Sequence, residues 1–141
     1  MLPLRYALRW QTASALLLLL VLASALMPAI WFWPDRVRMA SWLQHLDKWA
    51  HLLTFAFLAV WFAGQYRRGA YWRIAGGLIG FGVLIEICQR AIGYRSAEWL
   101  DLGADVVGIV IGLLIGLAGA GGWSQRFEQW YVTRGSEAGL D

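Results

Sequence analysis

Residues 100–119 read LDLGADVVGIVIGLLIGLAG, a run that carries two acids, Asp101 and Asp105, and then no ionisable group to its end. An α-helix rises about 1.5 Å per residue and must cross about 30 Å of hydrocarbon, so a run of about 20 apolar residues is a transmembrane candidate. Gly108, Gly112 and Gly116 recur every four residues, with Gly119 close behind, which forms a smooth stripe along which a second helix can approach closely in lipid. Gly76 and Gly80 share that spacing of four, which makes the helix carrying them the expected packing partner.

Three more candidate spans precede this one. Residues 13–33 are uncharged throughout; 47–64 contain His51; 72–92 carry Glu86, Gln89 and Arg90 at their far end. Continuous apolar runs argue against transmembrane strands, which alternate over segments of about ten residues. The expected fold is an all-α membrane protein, a bundle of four transmembrane helices forming a single domain over 1–141. The composition agrees: 60% of the 141 residues are hydrophobic, 15% are charged, and mean hydropathy is +0.53. A water-soluble globular domain has roughly 45–50% apolar and about 25% charged residues. Arg5, Arg9 and the following Leu16–Leu22 run look like a secretory signal, but the run continues to Trp33, beyond the usual core of about 7–15 residues, so no cleavage is expected.

The net charge of +3 is not a nucleic-acid signal, because the basic residues fall between the apolar runs. Arg5, Arg9, Arg67, Arg68, Arg73, Arg126 and Arg134 lie on the side of the termini, against Arg36, Arg38, Lys48, Arg90 and Arg95 opposite. By the positive-inside rule the termini are expected to be cytoplasmic. Two amphipathic segments complete the plan. Met39, Trp42, Leu43 and Leu46 predict a short interfacial helix after the first span. Trp123, Phe127, Trp130 and Tyr131 predict another at the C-terminus, with Arg126, Glu128, Gln129 and Arg134 on its polar face. The lone Cys88 reads as a small buried hydrophobe.

The polar residues of the spans gather at one depth. Asp47 and His51 share a face, with His51 roughly 6 Å deeper; Glu86 lies roughly 9 Å below the same surface, with Gln89 and Arg90 on its face; Asp105 lies roughly 6 Å below Asp101. Ionisable groups inside a bilayer are costly and mark functional sites. The candidate catalytic residues are His51, Glu86 and Asp101, and the candidate substrate-binding residues are Asp47, Gln89, Arg95 and Asp105; Gly108, Gly112 and Gly116 serve helix packing. His51 has the chemistry of a general base, and Arg95 that of a two-pronged phosphate donor. No nucleophile stands in a recognisable context: Ser96 reads as a helix cap, and lipid-phosphatase motifs are absent. His51, Glu86, Asp101 and Asp105 could offer oxygen and imidazole ligands, but they are spread over three helices with no paired His or Cys motif. No metal or cofactor is expected.

Three stretches together resemble the VanZ-like membrane protein family: Asp47-Lys48-Trp49-Ala50-His51 with Phe55 and Phe57-Leu58; Glu86-Ile87-Cys88-Gln89 ahead of Gly93-Tyr94-Arg95-Ser96; and Asp101, Asp105, Gly108 and Gly112. Asp105 departs from the pattern, which more usually has Asn there. The resemblance implies a small four-span inner-membrane protein of the bacterial cell envelope, in a family named for a member associated with lipoglycopeptide antibiotic resistance. Three functions follow. An outward-facing polar pocket binds or modifies a lipid or glycolipid headgroup, with membrane lipids or a lipid-linked envelope precursor as partner, and affects glycopeptide susceptibility; catalysis and binding both stay open. The protein instead acts as a non-catalytic accessory or structural element, alone or as a homo-oligomer. A transporter is the third reading, disfavoured by the apolar inner half.

Overall fold

The computed structural model describes the backbone of residues 1–27, 40–91 and 99–137, and side chains within these except at 40–47 and 135–137. The chain is all-helical among the described residues: α1 (Ala7–Leu26), α2 (Ala40–Gln65), a short turn (Arg68–Ala70), α3 (Tyr71–Ala91), α4 (Trp99–Ile115), a wider five-residue turn (Gly116–Ala120) and α5 (Trp123–Glu137). Among the described residues three stretches, Ala7–Leu26, Arg68–Ala91 and Trp99–Ala120, are long and apolar enough to cross a membrane, rather than the four expected. The exception is α2. Its length suffices, but Asp47, Lys48 and His51 dilute the hydropathy of its first half.

The outer surface is leucine-rich and the interior is mixed. Leu16, Leu19, Leu20, Val110 and Leu114 are exposed, whereas Gln65, Gln89, Asp101, Asp105 and Ser124 are buried. Around them sits an apolar core of Phe55, Leu58, Ala59, Ala63, Ile74, Leu78, Ile85 and Ile109. In water this distribution would be unfavourable, because leucine side chains gain most from leaving water. Against lipid it is the expected one, since the polar groups find partners only inside the bundle.

Four expectations need correction. Helix α1 begins six residues earlier than the expected span, and its expected end at Pro28–Trp33 lies outside the described residues. Among the described residues there is no separate interfacial helix before α2, because residues 40–46 continue without a break into it, and Met39 lies outside the described residues. A 3.6-residue apolar period cannot distinguish a free amphipathic helix from the first turns of a longer one. The glycine stripe of α4 packs on α2 and not on α3. A Cβ on Gly108 would collide with the Leu52 carbonyl oxygen, and one on Gly112 with the Ala56 carbonyl oxygen and the Ala59 methyl, whereas Gly76 and Gly80 face open space. Finally, α5 is where expected, but Glu128 on its supposedly solvated face is buried.

Glu128 caps α1. The helix starts at Tyr6 with no side-chain cap of its own and no acid in its first turn, leaving amides without acceptors. The Arg5 and Tyr6 amides donate to Glu128 Oε2 and Oε1 at 2.8 and 3.0 Å, and the Trp10 indole N–H donates to Oε1 at 2.9 Å. Burial raises the Glu128 pKa, but these three donors and the Arg5 charge outweigh it and hold the carboxyl below its usual range. Beside it Trp10, Trp61 and Trp123 pack together, with ring centroids 5.3–5.7 Å apart. One turn deeper, Ser14 Oγ accepts from Trp61 Nε1 at 2.9 Å and Gln65 Nε2 at 3.0 Å. The turn after α4 closes through Gly119 and Gly122, whose φ values of 138° and 73° strain other residues.

Two outcomes follow. Gly112→Leu should destabilise the detergent-solubilised protein by about 1–3 kcal/mol through overpacking, while Gly80→Ala should be neutral or stabilise by up to about 1 kcal/mol; thermal unfolding distinguishes them. A carboxyl held low when folded contributes stability that is complete above its unfolded pKa and lost as pH falls through the folded one. The melting temperature should therefore fall below about pH 4.5, and Glu128→Gln should flatten that limb while lowering stability at neutral pH.

Candidate functional site

Three helices meet at one polar cluster. His51 lies on α2 one turn before Phe55, whose ring stacks parallel to the imidazole at 5° with centroids 6.5 Å apart. Asp101 and Asp105 lie on the α4 face that continues into Gly108 and Gly112, so the same close approach that seats the glycines on α2 brings Asp105 against His51. His51 Nδ1 and Asp105 Oδ1 are 2.9 Å apart. Glu86 comes from α3. One ring nitrogen of His51 and one carboxylate oxygen each of Glu86 and Asp101 lie within 4.8 Å of one another.

The cluster is nearly closed. His51 is 9% exposed and Asp101 and Asp105 are 0% exposed, while Glu86 is half-buried with both carboxylate oxygens shielded. Neither Glu86 oxygen has a hydrogen-bond partner among the described residues, nor has Asp105 Oδ2. Gln89, one turn beyond Glu86, donates from Nε2 to the Ala25 carbonyl at 3.0 Å, which ties α3 to the end of α1. An apolar cavity of about 390 Å³ lies apart from the cluster, between α1, α2 and the first half of α3, with Leu18, Phe62, Arg73 and Phe81 among its lining.

The structure thus brings together His51, Glu86, Asp101, Asp105 and Gln89. The Asp47 side chain, and Arg95 with Ser96 and Tyr94, lie outside the described residues. Gly82 was missed in the sequence. A Cβ there would stand 2.6 Å from Asp105 Oδ2, so the glycine on α3 makes room for that carboxylate. Its signal was present, since Gly82 is four residues before Glu86 and on the same face, but it is hidden among Gly76, Gly77 and Gly80. Phe55 was noted only as part of a family pattern, and the structure sets its ring parallel to the imidazole one turn further along α2.

The sequence model of the VanZ/LLP1 family matches residues 5–119. The chain belongs to that family. No curated protein and no solved structure gives a significant match. Family membership and the three apolar helices together support a VanZ-like multi-pass membrane protein.

Removing the imidazole leaves a fully buried carboxylate without its partner, which costs about 3–5 kcal/mol where such pairs are broken from one side. His51→Ala should therefore destabilise strongly, and adding Asp105→Ala should recover part of the loss. A coupling energy of about 0.5–3 kcal/mol in a double-mutant thermal-unfolding cycle would show that the pair acts as a unit; strict additivity would show that it does not.

Proposed function

We propose that this VanZ/LLP1 protein binds or modifies the polar headgroup of an envelope lipid or glycolipid at the outer face of the bacterial inner membrane. The observation that carries this reading is the convergence of His51, Glu86 and Asp101 from three helices, with Asp105 behind the imidazole. Holding four helices together does not require it. In membrane bundles the groups that do so are mostly small or uncharged, whereas intramembrane ionisable groups each cost about 2.5–3.5 kcal/mol or more and are kept for function.

In this reading α2 is the fourth span. Its Trp49, Leu53 and Phe57 are exposed along one side, as on a lipid-facing helix, while its other face is buried. Four crossings put both termini on one side, which the arginines at 67 and 68 mark as cytoplasmic. Glu86 is the least buried member of the cluster, with both carboxylate oxygens turned inward, and its carboxyl is the group offered to a headgroup that enters the cluster. His51, held by Asp105, is the general base, and Asp101 and Gln89 flank the bound group. Arg95 and Asp47 are the further binding residues, and altered glycopeptide susceptibility is the downstream consequence.

Lipidomics of cells lacking the protein, complemented with wild type or with Glu86→Gln at equal membrane abundance, tests this. The expected result is a lipid or lipid-linked species that changes on deletion, is restored by wild type and is not restored by Glu86→Gln. An unchanged lipidome would overturn the headgroup reading in favour of an accessory role.

A further inference from the structure

We infer that His51, Glu86 and Asp101 bind one divalent transition-metal ion, with Asp105 orienting the histidine. The sequence argues against this, because the residues come from three helices with no local ligand motif. The fold removes the objection by bringing one donor atom from each within 4.8 Å of the others. Metal–nitrogen and metal–oxygen bonds of about 2.0–2.2 Å put neighbouring ligand atoms about 3–3.5 Å apart. Closing the site from separations of up to 4.8 Å therefore takes donor-atom shifts of about an ångström, a distance within the reach of side-chain rotation.

Two independent features point to a cation. Both Glu86 oxygens are shielded and have no hydrogen-bond partner among the described residues. A buried carboxylate without donors is the group a cation satisfies. The second feature is the His51–Asp105 pair. A carboxylate 2.9 Å from Nδ1 fixes the neutral tautomer with its proton on Nδ1 and leaves Nε2 as the ligating nitrogen, the usual arrangement behind metal-bound histidines. Asp105 is fully buried and Gly82 gives it space, so this orienting contact is itself rigidly held.

The donor set selects the ion. One imidazole and two carboxylates, with no thiolate in the cluster, suit Mn²⁺ or Zn²⁺ and disfavour Cu⁺ and iron–sulfur chemistry. A dication also offsets the charge of the carboxylates. The inference deepens the headgroup reading, because an ion here would present positive charge to a phosphate, but it is measured without reference to any lipid.

The full chain is purified in detergent from cells supplied with both ions, and its metal content is measured by elemental analysis. Protein stripped with chelator is then titrated with MnCl₂ and ZnCl₂, following heat of binding and melting temperature. Expected are about one equivalent of metal, a melting temperature raised by several degrees on reloading, and loss of binding in His51→Ala and in Glu86→Gln. Asp105→Asn should retain the stoichiometry, because the amide oxygen still accepts from Nδ1, and weaken affinity by about 10-fold through the lost charge behind the imidazole. Arg134→Ala should bind as wild type. Where the site variants fail to fold, X-ray absorption of the wild-type protein decides, and an ion shell containing imidazole and oxygen donors is the expected result. Absence of bound metal and of any melting shift in the wild type would overturn the inference. So would equal binding by wild type and a folded His51→Ala/Glu86→Gln double variant, or a shell without imidazole. A metal-loaded protein whose deletion leaves the lipidome unchanged would sink the headgroup reading alone.

Discussion

The backbone approach of α4 to α2 is the constraint on which the rest depends. At Gly108 and Gly112 any side chain would run into carbonyl oxygens of the facing helix, so the two backbones touch directly, as small-residue seams allow in lipid. One turn closer to the start of α4, its face changes from glycine to aspartate, and the short interhelical distance becomes the 2.9 Å separation of Asp105 and His51. Packing and chemistry thus share one seam. A looser α2–α4 contact would leave Asp105 buried and unpaired, which is the costlier state.

Helices α1 and α5 serve this pair from outside. Helix α1 fully buries only Ser14, while Leu17, Leu18, Val21, Leu22 and Ala25 pack partly buried against the core, and directed polar contacts along its length add to that packing. Glu128 caps its start, Ser14 joins Trp61 and Gln65 midway, and Gln89 reaches the Ala25 carbonyl at its end. Each contact satisfies a group that lipid could not, and a missing partner in hydrocarbon costs more than in water. Gln89 also links α1 to the cluster, being one turn from Glu86.

What could be read in the sequence was whatever one helix determines by itself. Apolar run length identified the helices, and counting residues inward placed His51, Glu86, Asp101 and Asp105 at a common depth, because rise per residue is fixed. Choices between helices were not legible. The stripes at Gly108–Gly116 and Gly76–Gly80 have the same spacing, and nothing in either says which surface it meets; the alanines of α2 at 56, 59 and 63, which provide the true partner face, are unremarkable in a chain so rich in small residues. Glu128 was misread for a related reason. A carboxylate on the polar side of an amphipathic helix resembles a solvated one until another helix's open amides are found beside it. The ligand set was hidden in the same way, since three helices contribute to it and no local spacing encodes it.

The choice of aspartate rather than asparagine at position 105 is informative about what the cluster needs. Either side chain offers an oxygen that can accept from the imidazole Nδ1–H, so either fixes the ring and its tautomer. Only aspartate adds a negative charge, and it does so at a fully buried position with one oxygen lacking a hydrogen-bond partner among the described residues. If the cluster's purpose were to hold the helices together, the neutral amide would do so with less desolvation. A charged residue here strengthens the nitrogen's affinity for whatever it engages on its other side, proton or metal ion, so the extra charge favours an imidazole that works as a base or a ligand over one that merely packs.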